Sequence, residues 1–189
     1  MKKRWIWLFS LLGMVVIAIM FLNCFTHNYP KREIDFVEEV EIGGIGQWIM
    51  ANGKHADLPV LLWVHGGPGS GQMPVARYYN SNLEEEFIVV HWDQRGAGKS
   101  NSKDFDESTM TVNQFLEDTH AITQYLKKRF EKEKIFLLGH SWGTQIGMVT
   151  VSKYPEDYIA YIGVGQLANH YGSHVIAHDV LKNKIMRFI

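Results

Sequence analysis

The stretch Leu137-Leu138-Gly139-His140-Ser141-Trp142-Gly143 decides how this chain folds. An apolar run ends in Gly-x-Ser-x-Gly and passes at once into helix-compatible sequence, Thr144-Gln145-Ile146-Gly147-Met148-Val149. This is the pattern of a sharp strand-to-helix turn that lifts a serine hydroxyl above the end of a sheet. The glycines answer a steric need. The turn is strained, and larger side chains two residues either side of the serine would meet neighbouring backbone. A serine so placed stands at a helix N-terminus, where free N–H groups and the helix dipole favour developing negative charge. Ser141 is therefore the candidate nucleophile.

Working outward, residues 134–138 form the strand into the turn, 142–153 the helix out of it, and 158–164 a further strand. Upstream, 58–65 and 87–92 are continuous apolar runs that suit strands buried on both faces. Between them and the serine, 111–130 is an amphipathic helix. Val112, Phe115, Leu116, Thr119, Ile122, Tyr125 and Leu126 fall on one stripe, and Lys127-Lys128-Arg129 makes a solvated basic end. At the start, residues 33–42 alternate apolar and polar. Gly43-Gly44 turns the chain, and 45–50 returns as a hairpin partner closed by Asn52-Gly53. Glu84-Glu85-Glu86 is expected in a solvated loop. The order predicts an α/β fold: a mostly parallel sheet with an N-terminal antiparallel hairpin and covering helices.

The chain has 189 residues and a formal net charge of −1, so no basic patch supports nucleic-acid binding, and its single cysteine, Cys24, excludes an internal disulfide. The N-terminus poses a different solvent problem. Met1-Lys2-Lys3-Arg4 precedes residues 5–25, an apolar run interrupted by Ser10, Gly13 and Asn23. About twenty such residues in a helix span roughly 30 Å, the thickness of a bilayer core. Trp5 and Trp7 stand where an aromatic belt lies, and the basic flank 1–4 belongs on the cytoplasmic side. The expected layout is a single-pass transmembrane anchor at 5–25, a polar linker at 26–32 containing Pro30, and an extracytoplasmic domain beyond. A cleaved signal peptide is the rival reading, but no Ala-x-Ala-like site follows the run. Leu22-Asn23 in place of small residues speaks against lipidation of Cys24.

Three motifs stand in order: His65-Gly66-Gly67-Pro68-Gly69, Asp93-Gln94-Arg95-Gly96-Ala97-Gly98-Lys99-Ser100 and Gly139-His140-Ser141-Trp142-Gly143. Together they resemble the α/β-hydrolase fold, and within it the proline iminopeptidase (prolyl aminopeptidase) family of serine peptidases. The similarity covers residues 33–166. The resemblance implies a Ser141 acyl-enzyme, an oxyanion held by the backbone N–H groups of Gly67 and Trp142, and a peptide substrate with a free N-terminus. It implies neither metal nor cofactor. It gives His65 and His140 structural places beside the turns, and Asp93 and Arg95 a bracing role in the loop after the fourth strand.

A serine nucleophile needs a base, and the base an orienting acid. In this fold both follow the serine, in the order Ser, acid, His. On the resemblance they are expected beyond residue 189, with a lid that would begin in the tail 167–189. The chain is thus expected to be an incomplete, C-terminally truncated member of its family. His170, His174 and His178 recur every four residues with Asp179 beside the last, which admits a metal site or an improvised base, although a plain helical face is the stronger reading. The alternatives to an aminopeptidase are an esterase-like acyl hydrolase of the same fold, or a catalytically dead remnant or interaction protein that uses an exposed sheet edge.

Overall fold

The computed structural model describes residues 31–102 and 106–169, together with 13–16, 18, 19, 172, 173, 175, 176, 178, 179 and 182. Contacts divide the chain into a unit of residues 1–31 and a second unit beginning at Arg32. Of the expected anchor, residues 13–16, 18 and 19 are described and helical; the remainder lies outside the described residues. Among the described residues no helix is long and apolar enough to cross a membrane.

Among the described residues the second unit is built on six strands. They are β1 (Ile34–Ile42), β2 (Ile45–Gly53), β3 (Val60–Val64), β4 (Ile88–Asp93), β5 (Ile135–His140) and β6 (Tyr158–Val164). Their spatial order is β1-β2-β4-β3-β5-β6. β1 and β2 form an antiparallel hairpin, β2 pairs antiparallel with β4, and β4, β3, β5 and β6 run parallel. Three helices make the crossovers: α1 (Met73–Tyr79), α2 (Val112–Arg129) and α3 (Trp142–Lys153). The expected α/β architecture with its N-terminal hairpin is thus observed.

Alternation along the strands sorts side chains into two layers. Val60, Leu62, Val64, Val90, Trp92, Ile135 and Leu137 pack with Ile122 and Leu126 of α2 in the main core. On the other face Met50 packs with Met73 and Ala76 of α1. β6 lies at one edge of the described sheet, and there Ile159, Ile162 and Val164 are exposed.

Several local expectations need correction. β2 does not turn at Asn52-Gly53 but continues through both, because β4 extends the sheet alongside and Asn52 is buried against Asp35. Glu84 is not solvated: it is buried in an ion pair with Arg32, itself read as the end of a linker. Only part of the basic end of α2 is free. Lys127 pairs with Asp157, and Arg129 lies over the rings of Phe36 and Phe130. Val112, placed on the apolar stripe, is exposed; Asp118, not counted there, is fully buried.

One buried group titrates in a way that affects stability. His91 of β4 lies tilted against Trp63 at 5.2 Å between centroids, and its Nδ1 has no hydrogen-bond partner among the described residues. Burial pushes its pKa from 6.5 down to about 4. Between those values the unfolded chain takes up a proton that the folded one refuses, so stability falls as the pH drops from 6.5 towards 4. His91 alone accounts for about 3 kcal/mol over that window. His65, also lowered by burial, acts in the same direction. Buried Asp93, whose pKa is raised, acts in the opposite sense. Urea midpoints at pH 7 and pH 4.5 are expected to differ less in His91→Gln than in the parent; an equal acid loss in both would rule His91 out as the cause.

Candidate active site

β5 leads into the turn and α3 leaves it, and Ser141 between them holds φ 51° and ψ −117°. For a residue with a Cβ this conformation costs about 1–3 kcal/mol and persists only where packing enforces it. The packing is visible. A Cβ on Gly139 would lie 2.5 Å from the carbonyl oxygen of Gly143, and one on Gly143 only 2.1 Å from that of Val64. β3, β5 and the first turn of α3 therefore approach too closely for side chains, and Ser141 is carried over the sheet end by its neighbours' lack of them.

The glycine loop after β3 lies against this turn. A Cβ on Gly66 would stand 3.2 Å from Ser141 Cβ and 3.2 Å from His140 Nδ1. Gly67 has φ 129°, in the range that favours glycine. Trp142 is the first residue of α3, so its backbone N–H belongs to the free amides of a helix start. Its ring points elsewhere, meeting Phe115 of α2 edge to face at 5.8 Å.

His65 is buried with both ring nitrogens engaged. Nδ1 donates to Gly66 O at 2.7 Å, and Nε2 accepts the Gln94 amide at 3.1 Å. Gln94 Nε2 returns a bond to His65 O at 2.9 Å. This partnership assigns the neutral tautomer with its proton on Nδ1. Burial, the larger influence, lowers its pKa. The residue joins the glycine loop to the loop after β4 and has no nitrogen left to serve as a base. His140 accepts at Nδ1 from Gln72 Nε2 at 3.2 Å, while Gln72 Oε1 accepts from Trp63 Nε1 at 2.9 Å. With Val75, Ala76, Tyr79, Asn80 and Val164, these three line an open pocket of about 260 Å³ on the α1 side.

Asp93 and Arg95 organise the loop that holds Gln94. Asp93 Oδ2 accepts the Lys99 amide at 2.9 Å, and burial raises its carboxyl pKa above the usual range. Arg95 does reach a carbonyl, Gly43 O at 2.9 Å, but its main partner is Asp118, met at 2.9 Å through Nε and 3.0 Å through Nη2. Asp118 also accepts from Gln47 Nε2 and Gln114 Nε2, each at 2.8 Å. An acid within the apolar stripe of α2, three residues after Phe115 and four before Ile122, was the available signal for this partner. In the tail, His170 and His174 lie outside the described residues. His178 and Asp179 are both exposed, 3.4 Å apart. No group of three or more metal-ligating side chains is found among the described residues.

A family match settles what this arrangement belongs to. Residues 60–170 match the family described as serine aminopeptidase, S33. The chain belongs to that family. It is 42% identical over 139 residues to the probable aminopeptidase YbaC of Bacillus subtilis (strain 168), covering 74% of this chain and 44% of the relative. It is 28% identical over 105 residues to a proline iminopeptidase of Lactobacillus helveticus, covering 55% and 34%. Among solved structures it is similar to a proline iminopeptidase-related protein of Thermus thermophilus, with TM-score 0.58 and 28% identity, over 68% of this chain and 44% of that one. It is also similar to an epoxide hydrolase from Vigna radiata, with TM-score 0.57 and 26% identity, over 69% and 40%. The α/β-hydrolase resemblance thus holds at the level of the S33 serine aminopeptidases, with the proline iminopeptidases more distant than YbaC. The chain spans less than half the length of each of these relatives.

Proposed function

We propose that this chain carries the nucleophile half of a serine aminopeptidase that releases N-terminal residues from peptides through an acyl-enzyme on Ser141. The observation that carries the reading is the Ser141 backbone at φ 51° and ψ −117°, enforced by glycines between β5 and α3. Such strain at a single serine in an otherwise regular turn is a feature of functional sites. In the proposed step Ser141 Oγ attacks the scissile carbonyl, and the N–H groups of Trp142 and Gly67 receive the oxyanion. The base and its orienting acid belong, on this reading, to the portion of the hydrolase domain that the relatives have and these 189 residues do not span. The similarity to proline iminopeptidases supports proline as a favoured N-terminal residue. The basic cluster 1–4 and the apolar run 5–25 support a single-pass anchor with the hydrolase unit outside the cytoplasm.

The test compares aminoacyl arylamides bearing a free amine with their N-acetylated forms, proline among the residues, using the hydrolase completed by the portion that carries base and acid, with and without membranes. Cleavage of the free-amine substrates ahead of the acetylated ones is expected. Cleavage of simple esters and acetylated amides alone would favour an acyl hydrolase of the same fold.

A further inference from the structure

The turn that presents Ser141 is bonded to the strand end beside it by groups that the reaction itself does not employ. Ser141 N donates to Val164 O at 2.9 Å, at the C-terminal end of β6. Thr144, wholly buried in the first turn of α3, donates Oγ1 to Ser141 O at 2.6 Å and accepts the Leu167 amide at 3.0 Å. The Thr144 amide also reaches Ser141 O, at 2.9 Å. Tyr161 of β6 faces Thr144 O at 3.0 Å and Gln166 Oε1 at 2.7 Å with its hydroxyl. Gly165, at φ 63°, turns the chain after β6, and a Cβ on it would meet Ser141 N in ordinary contact at 3.9 Å. Both main-chain polar groups of Ser141 are thus fixed, the amide by residue 164 and the carbonyl by a threonine that itself answers to residue 167.

We propose that Thr144 and Tyr161 are positioning residues for Ser141, clamping the strained turn to the segment that leaves β6. The proposal rests on the reading of Ser141 as nucleophile. The Thr144 hydroxyl has one proton, committed to Ser141 O, and it accepts from Leu167 in return. Withdrawal of Leu167 therefore loosens the group that holds the serine carbonyl. The path of the chain after β6 is coupled in this way to the conformation from which the hydroxyl attacks.

Thr144→Val keeps the side-chain shape and removes both bonds, Thr144→Ser keeps the hydroxyl, and Tyr161→Phe keeps the ring. Two readouts on the full chain separate the possibilities: hydrogen exchange of the Ser141 amide, held by Val164 O, with α2 as internal reference, and the rate of fluorophosphonate labelling. Thr144→Val is expected to speed exchange at the turn about tenfold, the scale of one or two lost hydrogen bonds, and to slow labelling comparably. Tyr161→Phe should do the same more weakly, α2 should be unchanged, and Thr144→Ser should restore both readouts. Exchange at the turn that is unaltered in Thr144→Val and Tyr161→Phe, or that rises equally in α2, overturns the clamp. A parent chain that is not labelled at all means that Ser141 is not activated by these residues alone, and exchange alone then decides whether the clamp holds the turn.

Discussion

On the proposed reading, and with the portion carrying base and acid present, Ser141→Ala is expected to abolish fluorophosphonate labelling and to lower kcat by on the order of 10⁶-fold, the scale seen when a serine nucleophile is removed from an activated site. Stability should barely change, within about 0.5 kcal/mol, because alanine keeps the Cβ and with it the same backbone requirement at φ 51°. Ser141→Gly should be equally inert yet more stable than the alanine variant, by about 1 kcal/mol, since glycine occupies that region without steric penalty. Two inactive variants that differ in stability in this direction are the signature of a conformation held for the hydroxyl it presents. Labelling and urea unfolding of the three chains together make the measurement. Turnover by Ser141→Ala comparable to the parent's would remove Ser141 from the mechanism. A glycine variant less stable than the alanine variant would refute the strain account while leaving the nucleophile in place.

The parts of the fold that were legible in the sequence are those whose causes are local. The turn at Ser141 was legible because its steric demands fall on Gly139 and Gly143, two residues either side. β3 and β4 were legible because strands covered on both faces must be continuously apolar. α1 escaped because it is seven residues long, begins with a proline in its first turn, and shows no apolar period over so short a stretch. The polar interior escaped for a different reason. Arg95 and Asp118 are 23 residues apart, and Arg32 and Glu84 are 52 apart, so their charges look solvated until the sheet closes. The same holds at the candidate site. His65 and Gln94, or Thr144 and Leu167, become partners only when β3, β4 and β6 take their places in one sheet, and a linear reading supplies the residues without the bonds.

The second large effect is expected at Asp118, which with Arg95 forms a buried ion pair beneath the loop that approaches the site. Its carboxylate accepts four hydrogen bonds, two from Arg95 and one each from Gln47 and Gln114. Gln47 in turn accepts from Trp92 Nε1 and donates to Ile42 O, so β1, β2, β4, α2 and the loop after β4 meet at this acid. Both members of the pair are essentially inaccessible to water. Asp118→Ala leaves the Arg95 guanidinium buried without its counter-charge and takes one acceptor each from the side-chain amides of Gln47 and Gln114. The expected loss is about 3–5 kcal/mol, read from urea midpoints at neutral pH. Replacing the pair together, Arg95→Met with Asp118→Leu, should return much of that loss, because the penalty comes from stranding one charge more than from losing the pair. The loop would remain without its anchor, however, and Gln94, which fixes His65 and through it the glycine loop beside Ser141, would be held less firmly. The double variant should therefore recover stability ahead of labelling rate. Equal recovery of both would mean that the arginine and aspartate serve the fold alone, and that the loop after β4 contributes nothing to the placement of the glycine loop at the serine.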